Sequence, residues 1–307
     1  MNPDIVTPVI ASTIAMAVPL LFAALGELIA ERAGILNIGL EGMVLSGAFA
    51  ALVVALLSGS TALGVAAALL VGAALGLLLS LFVARWQASQ VVAGTALNFL
   101  AFGLTGVAYR AVFGVTGAAL TIPGASVFRI PVLADLAVVG PFFRQSALGY
   151  AAFALVPIVG YVLGRTLTGL RLRMVGENPY AAETQGVPVR RIRTVALVLC
   201  GTCAAAGGAF LSVAYVNTFV EGMSAGRGFI ALAIVIVGRR HPTGVLGAAL
   251  FFGLATALQF HFQALGFALP FQFFLLLPYA LTLLVLAGFA GRAVAPSALG
   301  QPYERNG

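Results

Sequence analysis

Residues Glu41–Leu70 read EGMVLSGAFAALVVALLSGSTALGVAAALL, and Glu221–Leu250 read EGMSAGRGFIALAIVIVGRRHPTGVLGAAL. In the first, no charged residue occurs between Val44 and Ala84. A helix apolar on every face is buried in a large core or in lipid. Strands of a membrane barrel would alternate apolar and polar residues, and this stretch does not. With backbone groups satisfied internally, lipid admits only helices or closed barrels. The reading is therefore a run of membrane-spanning helices.

The rest of the 307 residues has the same character: 61% are hydrophobic and 8% charged, where a soluble domain carries about a quarter charged. Mean hydropathy is +1.09. Nine spans are expected, most of them near the roughly 20 residues that cross a hydrocarbon core: about 9–30, 44–57, 62–84, 91–112, 147–167, 194–216, 229–237, 245–262 and 271–289. The second and seventh are short for a full crossing. The residues before 9 lack a basic stretch, so the first span itself is expected to act as the insertion signal.

All 16 basic residues are arginine, and the net charge is +7. In a soluble protein that excess would suggest nucleic acid. Here the arginines sit in short loops, where they orient a membrane protein, and no nucleic-acid partner is expected. Arg85, the five arginines of loop 171–193, Arg239 with Arg240, and Arg292 all fall on one side if nine spans alternate. That side is read as cytoplasmic, with residue 1 outside and segment 113–146 external. Cys200 and Cys203 lie inside an apolar span with no second pair. They are read as helix packing, and no metal or cofactor is expected.

The two quoted stretches match each other without a gap at an offset of 180 residues (221 − 41), with 11 of 38 positions identical from Glu41–Leu78 against Glu221–Leu258. Alanine and leucine matches carry little weight in so biased a composition, but Glu-Gly-Met in register is harder to obtain by chance. Spans one to four then pair with six to nine. The expected architecture is an all-α membrane domain of two inverted four-helix repeats, about 9–112 and 194–290, joined by a connector helix at 147–167. Inverted repeats are a transporter signature, with the substrate path between them.

Each repeat has a polar, glycine-rich stretch between a full span and a short one: ERAGILNIGLEGM at Glu31–Met43 and NTFVEGMSAGRG at Asn217–Gly228. Paired interruptions of this kind point to a permeation path. Asn37, Glu41, Asn217 and Glu221 are the candidate pathway or gating residues. The competing reading is that they cap helix ends. Asn98, Phe99 and Gln259 are further candidates for lining the path, or for simple packing.

The main hydrophilic loop is RLRMVGENPYAAETQGVPVRRIR, Arg171–Arg193. Asn178-Pro179 is suited to start a short helix, and Gly186 to end it. The chain has no GxxxxGK[ST] nucleotide loop and only one acid, Glu27, well inside an apolar span. An energy source on a separate subunit is therefore expected, docked on this loop.

Ala181-Ala182 followed after three residues by Gly186 resembles the core of the EAA loop of ABC importer permeases, with Tyr180 where glutamate often stands. GENPYAAETQGV from Gly176, ERAGILNIGLEGM from Glu31, GTALNFLA from Gly94 and GRGFIALAIVIVGRRHPTG from Gly226 resemble the branched-chain amino acid, simple sugar and nucleoside permease family over nearly the whole chain. The resemblance is strongest to the shorter permease of nucleoside-type importers. It implies a coupling helix whose residues include Gly176, Glu177, Asn178, Pro179, Ala181, Ala182 and Gly186. It also implies cytoplasmic ABC ATPase subunits, a second permease subunit, an external substrate-binding protein, and a place in the bacterial inner membrane. The permease itself is then not an enzyme. Nucleosides or related ribosyl compounds are the implied cargo; sugars or branched-chain amino acids, or an ion-coupled transporter, are the alternatives.

Overall fold

The computed structural model describes residues 3–114, 122, 124–131, 134, 139–264, 276, 280, 283–284, 287 and 295–303. Among the described residues ten α-helices are formed: α1 (Pro3–Arg32), α2 (Leu40–Ser58), α3 (Thr61–Ser80), α4 (Gln90–Phe113), α5 (Ala147–Arg165), α6 (Leu167–Glu177), α7 (Pro179–Thr184), α8 (Val189–Ala209), α9 (Arg227–Val237) and α10 (Pro242–Ala264). π-helical turns extend α3 to Arg85 and α8 to Tyr215. Among the described residues, seven helices are long and apolar enough to cross a membrane, and α9, at 11 residues, is a shorter apolar helix. Of the span expected at 271–289 only residues 276, 280, 283–284 and 287 are described, and the rest lies outside the described residues.

Two expectations need correction. The second span is 19 residues, not a short one. Leu40–Met43 of the polar stretch are helical, because the Glu41 carboxylate finds partners at the helix start. The hydrophilic loop is also largely helical, and α8 begins at Val189, taking Arg190, Arg191 and Arg193 into its first turns. The preceding break is at Thr166, whose extended backbone (φ −111°, ψ 158°) ends α5 while its hydroxyl accepts from Gly169 N and so caps α6. The segment before α5 adds a small antiparallel pair that hydropathy did not suggest: β1 (Val127–Arg129) against β2 (Arg144–Ser146), with Phe128 opposite Gln145.

α1 and α8 form the centre. α3 packs along α8, α10 along α1, and α2 against both α3 and α8. In lipid, helix association depends on close packing rather than on a hydrophobic drive, which favours small residues at contacts. Gly72 of α3 and Gly201 of α8 meet that need: a Cβ on Gly201 would lie 2.2 Å from Gly72 O. The core between these helices is built from Leu21, Leu25, Leu28, Val44, Leu79, Leu197 and Cys200. Cys200 and Cys203 are both free thiols.

Candidate permeation and coupling site

Between α1 and α2 the chain leaves helical geometry at residues 33–39 while remaining buried. Backbone polar groups there need partners, and buried side chains supply them. Gln90 Oε1 accepts from Leu36 N at 2.7 Å, and Glu27 Oε1 from Asn37 N at 2.9 Å. Asn37 Oδ1 accepts from Gly39 N at 2.9 Å. Asn98, reaching from α4, accepts from Gly42 N at 2.8 Å and donates to Ile38 O at 2.9 Å. Asn37 and Asn98 thus satisfy two amides, Gly39 N just before α2 and Gly42 N in its first turn, where helix donors lack intrahelical partners.

Glu41, buried in the first turn of α2, reaches across to the second polar stretch. Its two carboxylate oxygens accept from Gly226 N and Gly228 N, each at 2.7 Å, at the amino end of α9. The positive end of that helix dipole favours the anion. The two stretches that repeat in the sequence are thereby bonded to one another.

Their matched residues nevertheless stand in different surroundings. Glu221 has a side chain 44% exposed and faces Arg110, at the end of α4, at 3.3 Å. Asn217 has a left-handed backbone (φ 58°), its carbonyl accepts from Ile122 N at 3.1 Å, and its amide lies against Gly124. Gln259 is buried on α10, which packs on α1, α5 and α9. Phe99, next to buried Asn98, is 76% exposed on the outer side of α4 and does not join the buried polar group.

A second buried polar cluster escaped the sequence reading. Glu31 at the end of α1 forms an ion pair with Arg240 Nε at 2.5 Å, and Arg32 Nη2 donates to Arg240 O at 2.5 Å. The glutamate is fully buried and the arginine nearly so. A short loop after α9, GRRHPTG, was legible as an orienting loop; that one of its arginines turns inward was not. Its backbone carries the trace, since Arg239 and Arg240 are both left-handed, at φ 54° and 53°.

The expected short helix is α7. Asn178 Oδ1 accepts from Ala181 N at 3.0 Å, Pro179 occupies the first turn, and Gly186 (φ 75°) closes it by donating its N–H to Glu183 O at 2.8 Å. Ala182 is buried against Val175, Val187, Val189 and Tyr303. Segment 295–303 straps this end: Ala298 N donates to Gly176 O at 3.0 Å, Ser297 bonds Glu177, and Arg193 donates to Gln301 O. Tyr303 bonds Glu183 and meets the Tyr180 ring at 5.3 Å, tilted by 55°. Tyr180, Ala181, Thr184 and Gln185 remain exposed on the opposite face of the helix.

Apolar helices, buried polar joints between them and one small rigid helix displayed outside the bundle define a multi-pass α-helical membrane protein. Residues 9–286 match the family described as branched-chain amino acid transport system / permease component, and the chain belongs to that family. It is 38% identical to the guanosine ABC transporter permease protein NupQ of Bacillus subtilis, covering 98% of this chain and 97% of that one. It is 36% identical to the nucleoside ABC transporter permease protein NupC of Lactococcus lactis subsp. cremoris, covering 97% of each. It is 35% identical to the putative glucose ABC transporter permease protein TsgC13 of Haloferax volcanii, covering 96% of each.

Proposed function

We propose that the chain is a permease subunit of an ABC importer that moves nucleosides or related ribosyl compounds across the bacterial inner membrane by alternating access. The observation that carries this reading is α7. A six-residue helix, capped at both ends and strapped to the bundle on one side, presents its other side outward. Such a helix suits docking on an ATPase subunit and passing its motion to α6 and α8 as a rigid body. Coupling residues are Gly176, Glu177, Asn178, Pro179, Ala181, Ala182 and Gly186, and ATP hydrolysis belongs to the docked subunit. A second, different permease subunit and an external binding protein complete the assembly.

Nine spans in two inverted repeats fit the way α1 packs on α10 as α3 packs on α8, since the repeat pairs α1 with α8 and α3 with α10. The path runs beside the two joined polar stretches, with Asn37, Glu41, Asn217 and Glu221 shaping or gating it. Two relatives named for guanosine and nucleosides favour that cargo over the glucose named for the third. The family's title keeps branched-chain amino acids as a second reading. The function here is differential stabilisation of two conformations.

The test is uptake of radiolabelled guanosine, glucose and leucine into membrane vesicles with and without the co-expressed ATPase. Nucleoside uptake that requires ATP and the ATPase is expected. Uptake that persists without the ATPase and collapses with the proton gradient would mean an ion-coupled transporter instead.

A further inference from the structure

Four arginines gather around the start of α8 with no acid paired to them among the described residues. Arg85 ends the π turn after α3, Arg171 lies on α6, and Arg190 and Arg191 open α8; all four are exposed. The ion pairs among the described residues involve other arginines. Beneath them lie two clefts that share Arg191, one apolar and one of mixed character. One, of about 440 Å³, separates α5 and α6 from α8; Leu155, Val159, Leu163, Ile192 and Leu199 line it below Arg171 and Arg191. The other, of about 350 Å³, lies between the end of α3 and α8, with Leu77, Leu81 and Ala84 beside Ser80 and Thr194, below Arg85, Arg190 and Arg191.

The depth of this arrangement is marked by Trp86, the single tryptophan of the chain. It is exposed, follows Arg85 directly and packs edge-on against Phe82 at 5.0 Å. Indole rings concentrate at the headgroup level of a bilayer. On that marking Arg85 sits at headgroup height and the larger cleft faces the acyl chains, where Ile158, Val195 and Leu199 are open to the outside. An apolar cleft and an arginine-lined groove meeting at one guanidinium match a molecule with an acyl tail and an anionic head.

We propose that the clefts flanking α8 bind an anionic phospholipid, with its phosphate among Arg85, Arg171, Arg190 and Arg191 and an acyl chain in the larger, apolar cleft. Basic pockets between spanning helices recognise anionic headgroups in this way, and each basic residue near the headgroup strengthens binding about fivefold. A zwitterionic lipid would bring no net charge to the arginines. The site needs only a membrane-embedded chain, so it stands or falls independently of the transported substrate.

Native mass spectrometry tests this on the full chain purified with its copurifying subunits. Phosphatidylglycerol and phosphatidylcholine of identical acyl chains are titrated in parallel. Preferential retention of phosphatidylglycerol is expected, weakened about 25-fold in Arg171→Gln/Arg191→Gln. Leu199→Trp, which fills the larger cleft and keeps every charge, is expected to weaken it as well, whereas Arg129→Gln on β1 leaves it unchanged. Equal retention of both lipids, undiminished binding in the double arginine variant, or equal competition by free glycerol phosphate would overturn the proposal. So would a structure of the assembled importer with another subunit filling both clefts.

Discussion

Glu41 illustrates how one side chain can hold two elements. Its carboxylate accepts two amide protons from α9 while it lies in the first turn of α2. Glutamine offers one acceptor and turns an NH2 group toward the other amide. A buried unsatisfied donor costs about 1–3 kcal/mol. Glu41→Gln is therefore expected to lower the unfolding temperature of the purified chain and to reduce uptake; unchanged thermal stability would show the cap to be energetically minor. Glu31 and Arg240 make a stronger case because both are buried. Removing one partner of a buried pair typically costs about 3–5 kcal/mol, whereas replacing both by apolar residues is often neutral. Glu31→Leu alone is expected to abolish stable expression, and Glu31→Leu with Arg240→Met to restore much of it. A double variant no better than the single one would mean that Glu31 does more than neutralise Arg240, since Arg240→Met keeps the carbonyl that accepts from Arg32.

At the scale of elements, α7 depends on both of its ends. Gly186 has φ 75°, which proline cannot adopt, and its N–H bonds Glu183 O. Gly186→Pro breaks both features. Ala182→Arg forces a charge into the cluster of Val175, Val187, Val189 and Tyr303. Both variants are expected to insert into the membrane at normal levels while transport is lost. Normal uptake by both would remove the docking role from this helix. Much of α7 was legible in advance, since Asn-Pro at the start and glycine at the end are local signals. The strap of residues 295–303 was not, because its contacts to Gly176, Glu177 and Glu183 lie more than a hundred residues away in sequence.

Across the whole molecule, the two polar stretches are expected to move relative to one another during transport. Glu221 and Asn217 occupy the more exposed stretch, where the Arg110 pair is open to solvent and worth at most about 1 kcal/mol. Glu221→Gln should therefore leave stability almost unchanged, whereas Asn217→Ala is expected to cost about 1 kcal/mol because alanine disfavours the left-handed backbone at φ 58°. Each is expected to alter uptake more than polar-to-alanine changes on α5. Larger effects from α5 would make the second stretch a structural connection only.

Hydropathy and arginine placement, both local properties, were sufficient for a bundle of apolar helices and for the position of nearly every described span. The matching Glu-Gly-Met stretches were likewise visible as text. The sequence was silent on the inequality between them. Glu41 is buried because α9 begins opposite it, and Glu221 is exposed because the chain there faces Arg110 and the solvent. Two identical tripeptides have the same propensities, so only the packing of α2 against α9 distinguishes them. The same holds for the arginines: one-sidedness can be counted along the chain, but the tertiary fold alone turns Arg240 inward to Glu31 and leaves Arg85, Arg171, Arg190 and Arg191 around the two clefts. Charge placement relative to a membrane is a sum over residues, whereas partnership is a matter of distance in three dimensions.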